Sequence, residues 1–102
     1  MTQDEARRKL EEYRVLIDDV DRRIVALLNE RTSVVENIGR VKREAQLPIY
    51  EPRREDQVFS NVTGCNHGPM TAEAVRRVFE RIIDEMRTIQ KLRMLEQAEG
   101  KK

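Results

Sequence analysis

The sequence predicts an all-α fold: three helices per chain, long, short and medium, intertwined with a second copy into a helical homodimer. Three observations carry this expectation. No glycine precedes Gly39 and no proline precedes Pro48. Over that same stretch apolar residues recur in two interleaved seven-residue series, and nowhere does the chain alternate as a strand does. Helix-start signals then stand at three places: Thr2 with Glu5, Pro52, and Thr71.

The first helix is expected from about residue 4 to about residue 44. One apolar series is Leu10, Ile17, Ile24, Arg31 and Ile38; the other is Tyr13, Val20, Leu27, Val34 and Val41, with Leu16, Leu28 and Val35 widening the seam. Some 40 residues at 1.5 Å each make a rod of roughly 60 Å. A compact chain of this length has a radius of gyration of only about 13 Å, so the remaining residues cover part of the rod and a two-fold-related copy is the simplest cover for the rest. Pro48 then biases Leu47 out of the helical region, and Pro52 suits the first turn of a second helix, about 52–63, with Glu51 near its cap. Its stripe is Glu55, Val58, Phe59 and Val62. The run from Gly64 to Met70 reads as a loop. A third helix, about 71–95, carries Val75, Val78, Phe79, Ile82, Ile83, Met86 and Ile89, followed by a polar tail expected to fray.

Composition narrows function mostly by exclusion. Charged residues make up 38% of the 102, yet 20 basic and 19 acidic side chains leave a net charge of only +1. That balance does not indicate a nucleic-acid binder working by phosphate neutralisation. The one cysteine, Cys65, forms no internal disulfide, which fits a cytoplasmic setting. No apolar run approaches the roughly 18 residues of a membrane span, and the acidic, polar start does not read as a signal peptide. Cys65 and His67 are too few for a metal site, and the only histidine lies in a loop, so no nucleophile–base pair is visible.

Arg31 is the anomaly, a cation at a seam position otherwise filled by Leu and Ile. It either sets register by pairing with a buried carboxylate such as Glu55, or faces a pocket and meets an anion. Lys42 lies eleven positions on, three turns plus about 20°, so both cations share a face with Val35 and Ile38 as an apolar floor between them. Gly39 either permits close helix packing or leaves room for a ligand. Arg54 and Glu55 read equally as surface charges, and Gln90, four residues after Met86 on the third stripe, as a packing hydrogen bond. Arg14 is roughly 25 Å along the rod from Arg31, so it reaches the same small molecule only from the other copy of an antiparallel dimer.

Taken in order, Arg14, Ile17, Asp18, Asp21 and Arg31, then Ile38, Gly39 and Lys42, then Pro48, Arg54 and Glu55, and finally Phe79, Ile83 and Gln90, this spacing resembles the all-helical AroQ class of chorismate mutases over about residues 9–90. The resemblance implies an intertwined homodimer with two active sites, rearranging chorismate to prephenate in phenylalanine and tyrosine biosynthesis without cofactor or metal. It implies that Arg31 pairs with a substrate carboxylate and that Arg14 of the other subunit joins it. Lys42 and Gln90 would hydrogen-bond the ether oxygen. Glu55 would accept from the ring hydroxyl, with Glu51 near it and Arg54 helping to position the site. Val35, Ile38 and Ile83 would form apolar wall. Two positions depart from the family pattern: Glu51 stands where better-known bacterial members have aspartate, and Met86 where a small or hydroxylated residue often touches a carboxylate. An isochorismate pyruvate-lyase of the same fold and a non-catalytic helical adaptor remain alternatives at this level, and a free-standing enzyme and a domain of a fusion are both compatible with the chain.

Overall fold

The computed structural model describes residues 1–100, with side chains to residue 97. Its elements are α1 (Gln3–Glu44), α2 (Pro52–Gly64) and α3 (Ala72–Gly100), with no strand among the described residues. Two units compose it, residues 1–34 and the chain from residue 35 onward.

The first unit is helix alone. Its start is capped as the sequence predicts: the Glu5 N–H donates to Thr2 Oγ1 at 3.1 Å and the Ala6 N–H to the Thr2 carbonyl at 3.0 Å. Asp4 and Glu5 in the first turn also suit the positive end of the helix dipole. The seam residues Leu10, Tyr13, Ile17, Val20, Ile24 and Leu27 are 40–67% exposed. Nothing within this unit covers them.

The second unit comprises the last turns of α1, all of α2 and all of α3. α1 closes with two bonds of opposite reach: the Leu47 N–H donates to the Lys42 carbonyl at 2.7 Å and the Gln46 N–H to the Arg43 carbonyl at 3.2 Å. This is a Schellman closure, which requires a left-handed residue at its centre. Here that residue is Gln46, at φ 56°, where glycine avoids a Cβ clash costing on the order of 1–2 kcal/mol. Gln46→Gly is therefore expected to stabilise the protein by about 0.5–1 kcal/mol, part of the relief being offset by the greater freedom of glycine when unfolded. Thermal denaturation at fixed protein concentration checks this, and an unchanged or lower Tm would refute the strain.

Pro52 opens α2 as expected, and Glu51 occupies the N-cap without making a side-chain capping bond. The half-buried Glu55, Val58, Phe59 and Val62 face the packing side of α2, which lies against α3. The Arg76 guanidinium sits 4.3 Å from the Phe59 ring centroid and fastens the two helices at their outer end. In the loop between them Asn66 Nδ2 donates to the Met70 carbonyl at 2.8 Å, while Asn66 Oδ1 accepts from the Gly68 N–H at 3.2 Å. α3 then starts on Thr71, whose Oγ1 accepts the Ala74 N–H at 3.1 Å.

The buried line of α3 is Ile83, Met86 and Gln90. Val78, expected on the stripe, is 48% exposed: at 100° per residue it lies well round the helix from that line. A second difference is the end of α3, which runs to Gly100 rather than stopping near residue 95. The residues beyond Met94 are good helix formers, and Arg93 Nη1 meets Glu96 Oε2 at 3.1 Å across one turn. Of the polar tail expected to fray, residues 101 and 102 lie outside the described residues. No helix among the described residues is long and apolar enough to cross a membrane.

Candidate active site

The second unit brings charged side chains of α1 and α3 to the start of α2 and sets the amide of Gln90 against α1. The strap from Leu47 to Glu51 folds back along the end of α1. Two carboxylates then stand one turn apart, Glu51 at the cap and Glu55 within the first turn of α2, and a different helix grips each.

Lys42, in the last turn of α1, grips the first. Its Nζ is 2.7 Å from Glu51 Oε1 and donates to the Ile49 carbonyl at 3.0 Å. The lysine side chain is only 12% exposed, whereas Glu51 is half open to solvent. Glu51 thus spends its carboxylate on Lys42 instead of on the α2 cap, a partnership absent from the sequence reading. An ammonium has three donors, and two are engaged here, leaving one for another acceptor.

Gln90 of α3 approaches the same stretch of α1. It is 8% exposed, and its Nε2 donates to the Val35 carbonyl at 3.3 Å. A Cβ at Gly39 would lie 3.5 Å from Arg43 Nη1 and 3.6 Å from Gln90 Cγ, ordinary contacts, so the Gln90 side chain packs over this glycine without requiring it. Val35, Gly39 and Lys42 follow one another at four- and three-residue spacing, hence on one face of α1. An amide nitrogen has two donors, so Gln90 also keeps one. Ile83 and Met86 are buried on the same α3 line, Val35 is half-buried and Ile38 exposed.

Arg87 grips the second carboxylate. Its Nη2 donates to Glu55 Oε2 at 2.6 Å, its Nη1 to Asp84 Oδ1 at 3.4 Å, and its guanidinium lies 5.1 Å from the Tyr50 ring centroid. The hydrogen bond to Glu55 raises the arginine pKa above its ordinary value, partial burial opposes this, and the charges of Glu55 and Asp84 add to the rise. The sequence reading missed Arg87. The signal was present: it lies one turn after Ile83, on the flank of the buried stripe, while Glu55 is a carboxylate within the apolar stripe of α2.

Arg54 is exposed and donates to Gln57 Oε1 on its own helix at 3.4 Å. Arg14 and Arg31 belong to the first unit, where Arg14 is exposed beside Glu11 at 3.8 Å and Arg31 is half-buried in the seam. Cys65 is a free, exposed thiol.

Residues 13–91 match the family described as chorismate mutase type II. The chain is 34% identical over 87 residues to a bifunctional chorismate mutase/prephenate dehydratase of Aquifex aeolicus, covering 81% of this chain and 24% of that protein. It therefore spans about a quarter of that relative's length. Among solved structures, a chorismate mutase of Thermus thermophilus superimposes with a TM-score of 0.79 at 34% identity, covering 81% of this chain and 94% of that one. A chorismate mutase of Helicobacter pylori in complex with prephenate gives a TM-score of 0.79 at 25% identity, covering 85% and 94%.

Proposed function

This chain belongs to the chorismate mutase type II family, and from that premise we propose that it catalyses the rearrangement of chorismate to prephenate. The reaction is unimolecular and pericyclic. An ether C–O bond breaks as a C–C bond forms, so no nucleophile, proton transfer or redox partner is required. Two physical tasks remain: holding a flexible dicarboxylate in its folded conformation, and stabilising negative charge that develops on the ether oxygen.

The observation that carries this reading is the pair of fixed, partly unspent donors on Lys42 and Gln90. Each side chain is mostly buried and anchored by a backbone carbonyl, so neither needs reorganising when charge appears. In the proposed chemistry Lys42 directs its third N–H to the ether oxygen and Gln90 its second. Glu55 accepts from the ring hydroxyl, with Glu51 nearby and Arg54 helping to position the site. Arg31 takes one carboxylate over the apolar wall of Val35, Ile38 and Ile83. Met86 offers no hydroxyl, so the second carboxylate depends more on Arg14.

Arg14 reaches such a site only from a second copy. We therefore propose an intertwined homodimer in which each subunit lends Arg14 to the other's site. The exposed heptad seam of the first unit supports this, because a stripe of Leu, Ile and Val with coiled-coil spacing calls for a partner. Residues 1–102 act as one chorismate mutase domain in the cytoplasm, in keeping with the unpaired Cys65.

Loss of chorismate absorbance, with chromatographic identification of the product, tests the proposal. Wild type is expected to yield prephenate, and Arg31→Ala to lose at least about 10²-fold in kcat/KM. A wild type that leaves chorismate untouched, or releases pyruvate from isochorismate instead, would overturn it.

A further inference from the structure

Arg87 and Glu55 form an ion pair between α3 and α2, 32 positions apart in sequence, with both side chains about three-quarters buried. Two neighbours restrain the guanidinium further, Asp84 one turn back on α3 and the ring of Tyr50 on the strap before α2. The bond occupies Glu55 Oε2. It leaves Oε1 as an acceptor whose direction is set, because a carboxylate held on one oxygen by a planar guanidinium has little rotational freedom.

We propose that Arg87 is a positioning residue for the mutase reaction, acting through Glu55 to hold that carboxylate toward the ring hydroxyl of the substrate. This rests on the mutase reading above and adds to it a residue outside the set that the resemblance implies. The physical reason is entropy and geometry. A glutamate has three rotatable side-chain bonds, and without Arg87 the acceptor must be ordered during each binding event. Burial adds a second reason: at about a quarter exposed, an unpaired Glu55 would turn toward water and away from the site. Asp84 and Tyr50 face Arg87 rather than Glu55 in these contacts, so they steady the arginine without competing for the carboxylate.

The test is a double-mutant cycle in kcat/KM for chorismate, using Arg87→Ala, Glu55→Gln and the pair, with melting temperatures measured alongside. Because the hydroxyl bond is made in both ground and transition states, Arg87→Ala is expected to lower kcat/KM about tenfold, mostly through KM. In the Glu55→Gln background the same change is expected to cost less than about twofold, because its route of action is already gone. Arg87→Lys is expected to recover much of the loss, since an ammonium still pairs with Glu55, and it carries the test should Arg87→Ala fail to fold. Equal losses in both backgrounds would overturn the inference while leaving the mutase reading intact, as would an Arg87→Lys variant as impaired as Arg87→Ala. Absence of chorismate turnover by wild type would overturn both together.

Discussion

Lys42→Ala is expected to lower kcat/KM for chorismate by about 10²–10⁴, equivalent to about 3–5 kcal/mol of transition-state stabilisation. The size follows from where the ammonium sits. It is mostly buried at the end of α1, held by the Ile49 carbonyl and by Glu51, so water screens it poorly and a charge developing beside it feels most of its field. An alanine removes that charge and leaves the carbonyl and the carboxylate without their shared cation. The cost in folding stability is expected to be small, because Glu51 is half exposed and returns to water once unpaired. Lys42→Arg separates charge from geometry. It keeps the charge but replaces a compact donor with a planar fork, so an intermediate rate is expected. A loss of tenfold or less in Lys42→Ala, with the helical circular dichroism intact, would remove Lys42 from the reaction.

The second large effect concerns Gln90. A neutral amide donates without first acquiring a proton, so wild-type kcat/KM is expected to stay flat through neutrality as far as this group is concerned. Gln90→Ala is expected to lose about 10²–10³, the usual consequence of deleting one donor aimed at a developing oxyanion. Gln90→Glu is the more instructive variant. At 8% exposure, and facing the Val35 carbonyl, a carboxylate there would be poorly solvated and would meet another acceptor. Both effects favour its protonated form and raise its pKa. Only that protonated form donates, so activity is expected to be highest in acid and to fall about tenfold per pH unit above the new pKa. Rate profiles from about pH 5 to 9 for both proteins decide the matter. A wild-type rate that collapses between about pH 6 and 8 with the fold intact, or a Gln90→Glu variant as fast as wild type at the alkaline end, would deny Gln90 this role.

The two variants bear on different parts of one device. Lys42 is set by the end of α1, where the left-handed Gln46 turns the chain so that the Ile49 carbonyl and Glu51 come back over the lysine. Gln90 is set by the reach of its own side chain to the Val35 carbonyl, one turn before Gly39. Arg87 completes the arrangement from α3. The first turn of α2 is therefore tied to α1 through Glu51 and to α3 through Glu55. A carboxylate at each of these positions, one turn apart, serves two helices at once.

The helices and their starts are local properties, and the sequence alone determined them. Thr2, Pro52 and Thr71 act within three or four residues of themselves, and the heptad series of α1 needs nothing beyond its own period. The shared face of Val35, Gly39 and Lys42 follows from the same helical arithmetic, as does the placing of Gln90 on the inner line of α3. The end of α3 escaped because helix formers continue past the last apolar residue, so periodicity fades where propensity still holds. Val78 escaped because a stripe read from one strand of sequence has a width but no centre until another helix packs on it. What only the tertiary structure decided is which charge meets which. Glu51 could have capped α2 and instead binds Lys42, and Glu55 binds Arg87, a partner the sequence did not name. An ion pair depends on distances of a few ångströms between elements far apart in the chain, and these are set by how the end of α1, the strap, α2 and α3 close on one another rather than by any spacing along the sequence.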